Sequence, residues 1–121
     1  MSRKLRAYEL ADDLVVLVYE IARNFPREEI YALTSQLRKA AYSVPANIVE
    51  GCGRNTERDF LRFLDNALGS LREVGYFLHF AQRLGYLDDL AAQPVLAHHH
   101  EASRVLAGLI ASLRPTHHNR L

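Results

Sequence analysis

Residues 56–85, TERDFLRFLDNALGSLREVGYFLHFAQRLG, decide the fold. Phe60, Leu64, Ala67, Leu71, Val74, Leu78 and Ala81 recur at alternating steps of four and three, which places all of them on one face of an α-helix. Asn55 or Thr56 supplies the capping oxygen, and Asp59, three residues after Thr56, is a shortened relative of the capping-box acid. Gly85 closes the helix, because glycine enters the left-handed region that ends helices without a steric penalty.

The same spacing extends outward in both directions. Leu33, Leu37, Ala40, Val44 and Ile48 form a second stripe that runs through Pro45, a residue that lacks a backbone donor and crowds the preceding turn. This segment reads as one kinked helix ended by Gly51 and Gly53. Before it, Leu10, Leu14, Leu17, Ile21 and Phe25 describe a first helix with Pro26 as its stop. After Gly85, Asp88 or Asp89 opens a segment striped by Val95, Ala102, Leu106, Leu109 and Leu113 and ending at Pro115; alternatively, Pro94 is the first residue of its main body, after a short turn. Short connections and the lack of strand-like alternation predict an all-α, up-down-up-down antiparallel four-helix bundle.

A chain of 121 residues fits one domain, with its core over residues 8–114 and a C-terminal tail over 115–121. At 49% hydrophobic and 24% charged, the composition is that of an ordinary globular protein. The longest apolar runs, such as Leu14 to Val18, fall well short of the roughly 18 residues that mark a membrane span, and Met1-Ser2-Arg3-Lys4 lacks a signal-peptide apolar core. A cytoplasmic location is expected. Cys52 is the single cysteine, so packing and not a disulfide must hold the chain, and the residue reads as a passive small side chain or as a reactive thiol.

The third helix carries more apolar surface than one core needs. Phe63, Tyr76, Phe77 and Phe80 lie off its main stripe and either form a subunit interface or widen the core face. Gly69 and Gly75 each cost a helix interior about 1 kcal/mol relative to alanine, which another backbone approaching closely would explain.

A further pattern runs from Phe25-Pro26, Glu29 and Tyr31 through Leu33-Thr34-Ser35-Gln36-Leu37-Arg38-Lys39-Ala40-Ala41 and Ser43-Val44-Pro45-Ala46-Asn47-Ile48 to Glu50-Gly51. It continues in Gly53-Arg54, Phe60, Phe63-Leu64, Ala67, Gly69-Ser70 and Leu84-Gly85-Tyr86-Leu87. The chain thereby resembles the 23S rRNA intervening-sequence, or S23-like, family of four-helix-bundle proteins over most of its length. Such proteins are encoded within intervening sequences of bacterial rRNA genes and as free-standing genes, and are related to the accessory protein of diversity-generating retroelements. The resemblance implies a closed homo-pentameric ring with RNA or DNA as a partner, since the retroelement accessory protein is a basic barrel that works with a reverse transcriptase and RNA. It also marks Ser35, Gln36, Pro45, Asn47, Glu50, Gly51 and Gly53 as a structural motif. Fifteen Lys and Arg against fourteen Asp and Glu depart from that basic character.

Nucleic-acid contact therefore has to come from local clustering. Arg38 and Lys39, then Arg54, Arg58 and Arg62, are expected around the corner between the second and third helices, where ring symmetry would repeat them as a belt. The competing reading has these cations solvate a helix face and pair with Glu50, Glu57, Asp59 and Asp65. At the corner itself, glycines permit a tight turn while Ser35, Gln36, Asn47 and Glu50 satisfy backbone groups freed by Pro45 and by the helix ends.

No catalytic residue, cofactor or metal is expected. Glu50-Gly51-Cys52-Gly53-Arg54 lacks the Lys-Ser or Lys-Thr of a phosphate loop and the third glycine of a dinucleotide fingerprint. His98, His99 and His100 point about 100° apart on a helix and cannot converge on one ion. Only His99 falls on the core stripe, as a hydrogen-bonded core residue, and His117-His118 belong to a frayed tail. Glu73 and Glu101 are followed three residues later by Tyr76 and Arg104, not by the histidine a di-iron bundle requires. The sequence thus describes a non-enzymatic ring-shaped scaffold for nucleic acid or, alternatively, a protein-interaction ring with no nucleic-acid role.

Overall fold

All seven residues of the deciding stripe, from Phe60 to Ala81, are buried in the computed structural model, which describes residues 2–114. They lie on α3 (Glu57–Arg83), which follows α1 (Arg3–Ala22) and α2 (Leu33–Cys52) and precedes α4 (Asp89–Leu113); a short 3-10 turn, Arg27–Glu29, joins α1 to α2. Helix α3 packs on α2 and α4, and α1 packs on the same two, so consecutive helices are neighbours and the chain closes into an antiparallel four-helix bundle around one apolar core. No strand occurs among the described residues. Pro115, the tail over 115–121 and His117-His118 lie outside them.

Local chemistry sets the helix limits. Thr56, not Asn55, caps α3, its hydroxyl accepting the Asp59 N–H at 3.1 Å. Asp88 caps α4 by accepting the Ala91 N–H at 2.8 Å. Pro94 lies inside α4 and does not begin it. Its missing donor leaves only the Leu90 carbonyl unmatched, and the exposed Leu90 leaves that group to water. At the other end of α3, Gly85 has φ of +78°, with Gly85 N–H donating to the Gln82 carbonyl at 3.0 Å and Tyr86 N–H to the Ala81 carbonyl at 2.9 Å. These two bonds make a Schellman motif, and they stop α3 where the sequence places its end.

Helix α1 differs from expectation at its end and on its face. It stops at Ala22, short of Phe25, because a residue before proline is pushed out of helical geometry and the chain tightens first. Asn24 and Phe25 donate to the Ile21 and Ala22 carbonyls at 3.2 and 3.1 Å in short-range turns. Phe25 is still buried, packed on Tyr86 with ring centroids 5.9 Å apart, so it satisfies the periodicity from a turn. The buried face centres on Ala7, Leu10, Ala11, Leu14, Val18 and Ala22, whereas Leu17 and Ile21 are half-buried. Alanines allow close helix approach, and a stripe read from the large side chains alone misses that rotation.

Glu29 ties this end of the bundle together. One carboxylate oxygen accepts the Leu33 N–H at 3.2 Å at the start of α2, and the other accepts the Tyr86 hydroxyl at 2.8 Å from the loop after α3. That hydrogen bond, then burial and the charges of Glu29 and Glu28, push the Tyr86 hydroxyl above its ordinary pKa. A raised folded-state value means the contact contributes fully below about pH 10 and is lost as pH rises through the folded value. Tyr86→Phe should therefore flatten the alkaline limb of a stability-versus-pH curve measured by urea denaturation; an unchanged limb would refute the coupling.

Gly75 and His99 make a second close approach, between α3 and α4. The His99 ring reaches over Gly75 to the Leu71 carbonyl, with Nε2 at 2.7 Å from the oxygen and donating in the tautomer that carries its proton there. A Cβ on Gly75 would sit 2.9 Å from both Cε1 and Nε2 of that ring. Gly69, by contrast, has open space around it. Gly75→Ala should destabilise the protein by about 1–3 kcal/mol through overpacking. In a His99→Ala background the same change should become stabilising by about 1 kcal/mol through helix propensity, and urea melts of the four-variant cycle check that reversal of sign.

Candidate nucleic-acid interface

The corner between α2 and α3 is built by close packing. Gly53 has φ of −86°, and Gly51 is not among the positive-φ residues, so neither glycine is required by a left-handed turn. Gly51 is buried, and a Cβ there would lie 3.0 Å from Phe60 Cδ1 and from Phe63 Cβ, and 3.4 Å from the Phe60 carbonyl oxygen. At Gly53 the nearest atom, the Glu50 carbonyl oxygen, is 3.6 Å away. Gly51 is thus the contact at which α3 begins to lie against α2.

The polar motif residues play local parts. Pro45 frees the Ala41 carbonyl, yet the Asn47 amide donates to the Ser43 carbonyl at 2.8 Å and the Ser43 hydroxyl to the Lys39 carbonyl at 2.7 Å. Both reinforce carbonyls that already belong to the helix, so Asn47 does not compensate Pro45 as expected from sequence. Ser35 and Gln36 are exposed and make no side-chain hydrogen bond among the described residues. Glu50 takes an ion pair with Arg54 at 2.5 Å instead of a backbone group. Cys52 is exposed at the corner.

Phe63 organises the cations of the corner. Arg54 and Arg62 each place a guanidinium over its ring, 4.7 and 4.5 Å from the centroid. Contacts of this kind contribute about 0.5–1 kcal/mol at exposed sites and hold flexible side chains in place. Arg62 also lies 3.8 Å from Asp59, whereas Arg58 is exposed and has no ion pair among the described residues. Pairing with acids therefore takes up part of this charge but, among the described residues, not that of Arg58.

Arg38 and Lys39 do not join this cluster. They precede Arg54 by about four turns of α2, on the order of 22 Å along the axis. Arg38 stacks on Tyr19 of α1 at 4.9 Å with its Nε buried and unpartnered, and Lys39 lines a cleft with Gln36, Ser43 and Glu73. What the bundle does bring to the corner is a set of cations from the two chain ends. Lys4 lies over the Phe60 ring at 4.9 Å, Arg114 pairs with Asp65 at 2.7 Å, and Arg3, Arg6 and Arg104 occupy the adjoining face of α1 and α4. Arg104 is hydrogen-bonded to Glu101, and this bond, ahead of the Arg104 and Arg6 charges, holds the Glu101 carboxyl below its ordinary pKa.

The aromatic residues of α3 are likewise divided. Phe63 belongs to the corner, whereas Tyr76, Phe77 and Phe80 lie together about 20 Å further along the helix. The Tyr76 ring stacks on Phe80 at 6.0 Å and meets Phe77 edge-on at 5.6 Å. Phe77 packs against the core, but Tyr76 is 60% and Phe80 36% exposed. One part of this group widens the core and the other forms an uncovered aromatic face.

The fold and this end of the molecule define a small all-α four-helix bundle; among the described residues no helix is long and apolar enough to cross a membrane, and no cluster of side chains could hold a metal ion. Residues 3–108 match the 23S rRNA-intervening sequence proteins, and the chain belongs to that family. A solved structure from Bacteroides thetaiotaomicron, a protein of unknown function from the S23 ribosomal protein family, superposes with a TM-score of 0.83 at 19% identity, covering 91% of this chain and 99% of its own. That likeness shows the same fold. A comparison with curated proteins returned no match.

If Gly51 is a packing glycine, Gly51→Ala should cost about 1–3 kcal/mol, because the Phe60 ring and the Phe63 Cβ must both give way, while Gly53→Ala stays within about 0.5 kcal/mol. Urea denaturation of the two variants separates packing from a turn-forming role, which would penalise both.

Proposed function

We propose that this protein is a non-enzymatic, homo-oligomeric scaffold of the cytoplasm that binds RNA or DNA through the cation-rich end of its bundle, in a ring that the family resemblance puts at five subunits. The observation that carries the nucleic-acid part is the pair of guanidiniums held over the Phe63 ring, next to Arg58, which has no ion pair among the described residues. Side chains fixed in this way lose less conformational freedom on meeting a phosphate than free ones do. The resemblance to the accessory protein of diversity-generating retroelements, drawn from the sequence, supports the same reading. Self-association is supported by the exposed Tyr76 and Phe80, which form a stacked apolar surface on the outer face of α3.

A protein-interaction ring without nucleic acid is the second reading, favoured by the acids that neutralise Arg54 and Arg62. Light scattering followed by a fluorescence-anisotropy titration with single-stranded RNA distinguishes the two. The scaffold reading expects a five-subunit mass and binding that weakens with salt, by a log-log slope of about −0.7 for each phosphate contacted. Arg54→Glu, Arg58→Glu and Arg62→Glu together should abolish binding without changing the mass, and Tyr76→Glu with Phe80→Glu should reduce the mass to that of a monomer. An oligomer that ignores RNA at low salt would favour the protein-interaction ring, and a stable wild-type monomer would overturn both.

A further inference from the structure

We infer that the groove between the first turn of α1 and the last turns of α4 is a second binding site for phosphate groups of a linear phosphodiester chain, held by Arg3 and Arg6 with Arg104 at its rim. The inference rests on the nucleic-acid reading above and extends it to a surface formed by other helices.

The groove, of about 410 Å³, has a floor of Val105, Gly108 and Leu109. Gly108 is exposed and has no atom within 4 Å of the position a Cβ would take. A glycine inside a helix costs about 1 kcal/mol relative to alanine, and here no neighbouring group of the described chain uses the space it leaves. The floor is therefore bare backbone and apolar carbon, over which an extended chain can lie.

The rim is positive. Arg3 and Arg6 are exposed and form no ion pair among the described residues, so both guanidiniums keep all their donors. Arg104 is tied to Glu101, which fixes its position and leaves the rim with three cations against one acid. Arginine matches phosphate oxygens in a bidentate fork and is less hydrated than lysine, which suits it to this contact.

Two features select a polymer over a single small anion. The groove is open, and further along the same end of the bundle lies a cleft in which Arg58, Arg62 and Arg114 stand among Glu57, Asp59 and Asp65. A chain longer than the groove can reach these cations as well. Among the described residues no aromatic side chain lines the groove, so its contacts with a chain do not rest on base stacking. Binding here reads the backbone and is indifferent to sequence.

The test uses Arg3→Glu combined with Arg6→Gln in the full chain; glutamine is chosen because Arg6 lies close enough to Glu101 to act on its charge. This variant should fold at least as well as wild type, since cations in a first turn oppose the helix dipole, so any lost binding is not lost structure. Against single-stranded RNA of mixed sequence, affinity should fall tenfold or more at moderate salt, and the log-log salt slope should shrink by about 1.4, two contacts at about 0.7 each. If wild type binds RNA and the variant binds equally well, the groove inference is wrong while the corner reading stands. If wild type binds no RNA even at low salt, the nucleic-acid reading falls and the polymer claim falls with it. Inorganic tripolyphosphate then tests the groove alone: a rise in melting temperature that the variant lacks would reassign it to small phosphates, and no rise would remove it as an anion site.

Discussion

The close approach of α2 and α3 at Gly51 is the constraint on which the arrangement depends. With no side chain at that position, Phe60 and Phe63 settle directly onto the last turn of α2. The seven-residue stripe of α3 then runs back along α2 in register with Leu37, Ala40, Val44 and Ile48, all of them buried. Phe63, anchored through its Cβ, presents its ring outward, where Arg54 and Arg62 stack on it. A single packing contact thus fixes the core and also positions the cations of the corner. The far end is tied by hydrogen bonds, through Glu29 to both α2 and the loop after α3, and the Gly75–His99 contact sets α4 against the middle of α3.

Most of the fold was legible from spacing because α2 and α3 keep their apolar residues at three-and-four steps, α4 does so with His99 filling one place of its stripe, and the helices stop at recognisable chemistry. Thr56, Asp88 and Gly85 cap where residue type alone says they should. Helix α1 was less legible because half of its core face is alanine, which a hydrophobic pattern weights lightly although it decides how near two helices can come. Phe25 kept the helical period from outside the helix, and no reading of period alone could separate that from one more turn. Gly51 reads in the sequence as a turn residue, since spacing does not reveal what sits above a glycine.

The candidate site was legible only where its residues are near one another in sequence. Arg54, Arg58 and Arg62 were found because they flank one turn. Arg38 and Lys39 were grouped with them by proximity along the chain, but a helix rises about 1.5 Å per residue, and that separation carries them away from the corner. Arg3, Lys4, Arg6, Arg104 and Arg114 were missed for the opposite reason. Antiparallel topology brings the start of α1 and the end of α4 to the α2–α3 corner, and no local window contains all three. A net charge of +1 conceals this gathering, because at or near the other end Glu20, Glu28, Glu29, Asp88 and Asp89 outnumber Arg23, Arg27 and Arg83.

Helix dipoles divide the cations of this end into those that folding explains and those it does not. Two helices, α2 and α4, finish here with their negative ends, and Arg54 and Arg114 directly follow them, which is the favourable side for a cation. Two others, α1 and α3, begin here with their positive ends. Helix α3 offsets Arg58 with Glu57 and Asp59 in its first turn, as its own stability requires. Helix α1 has no acid in its first turn, only Arg3, Lys4 and Arg6. Lys4 has the Phe60 ring as a partner. Arg3 and Arg6 remain as charges that work against the helix they start, Arg6 offset only in part by the nearby Glu101 charge, and a partner that brings negative charge to their groove would remove that cost.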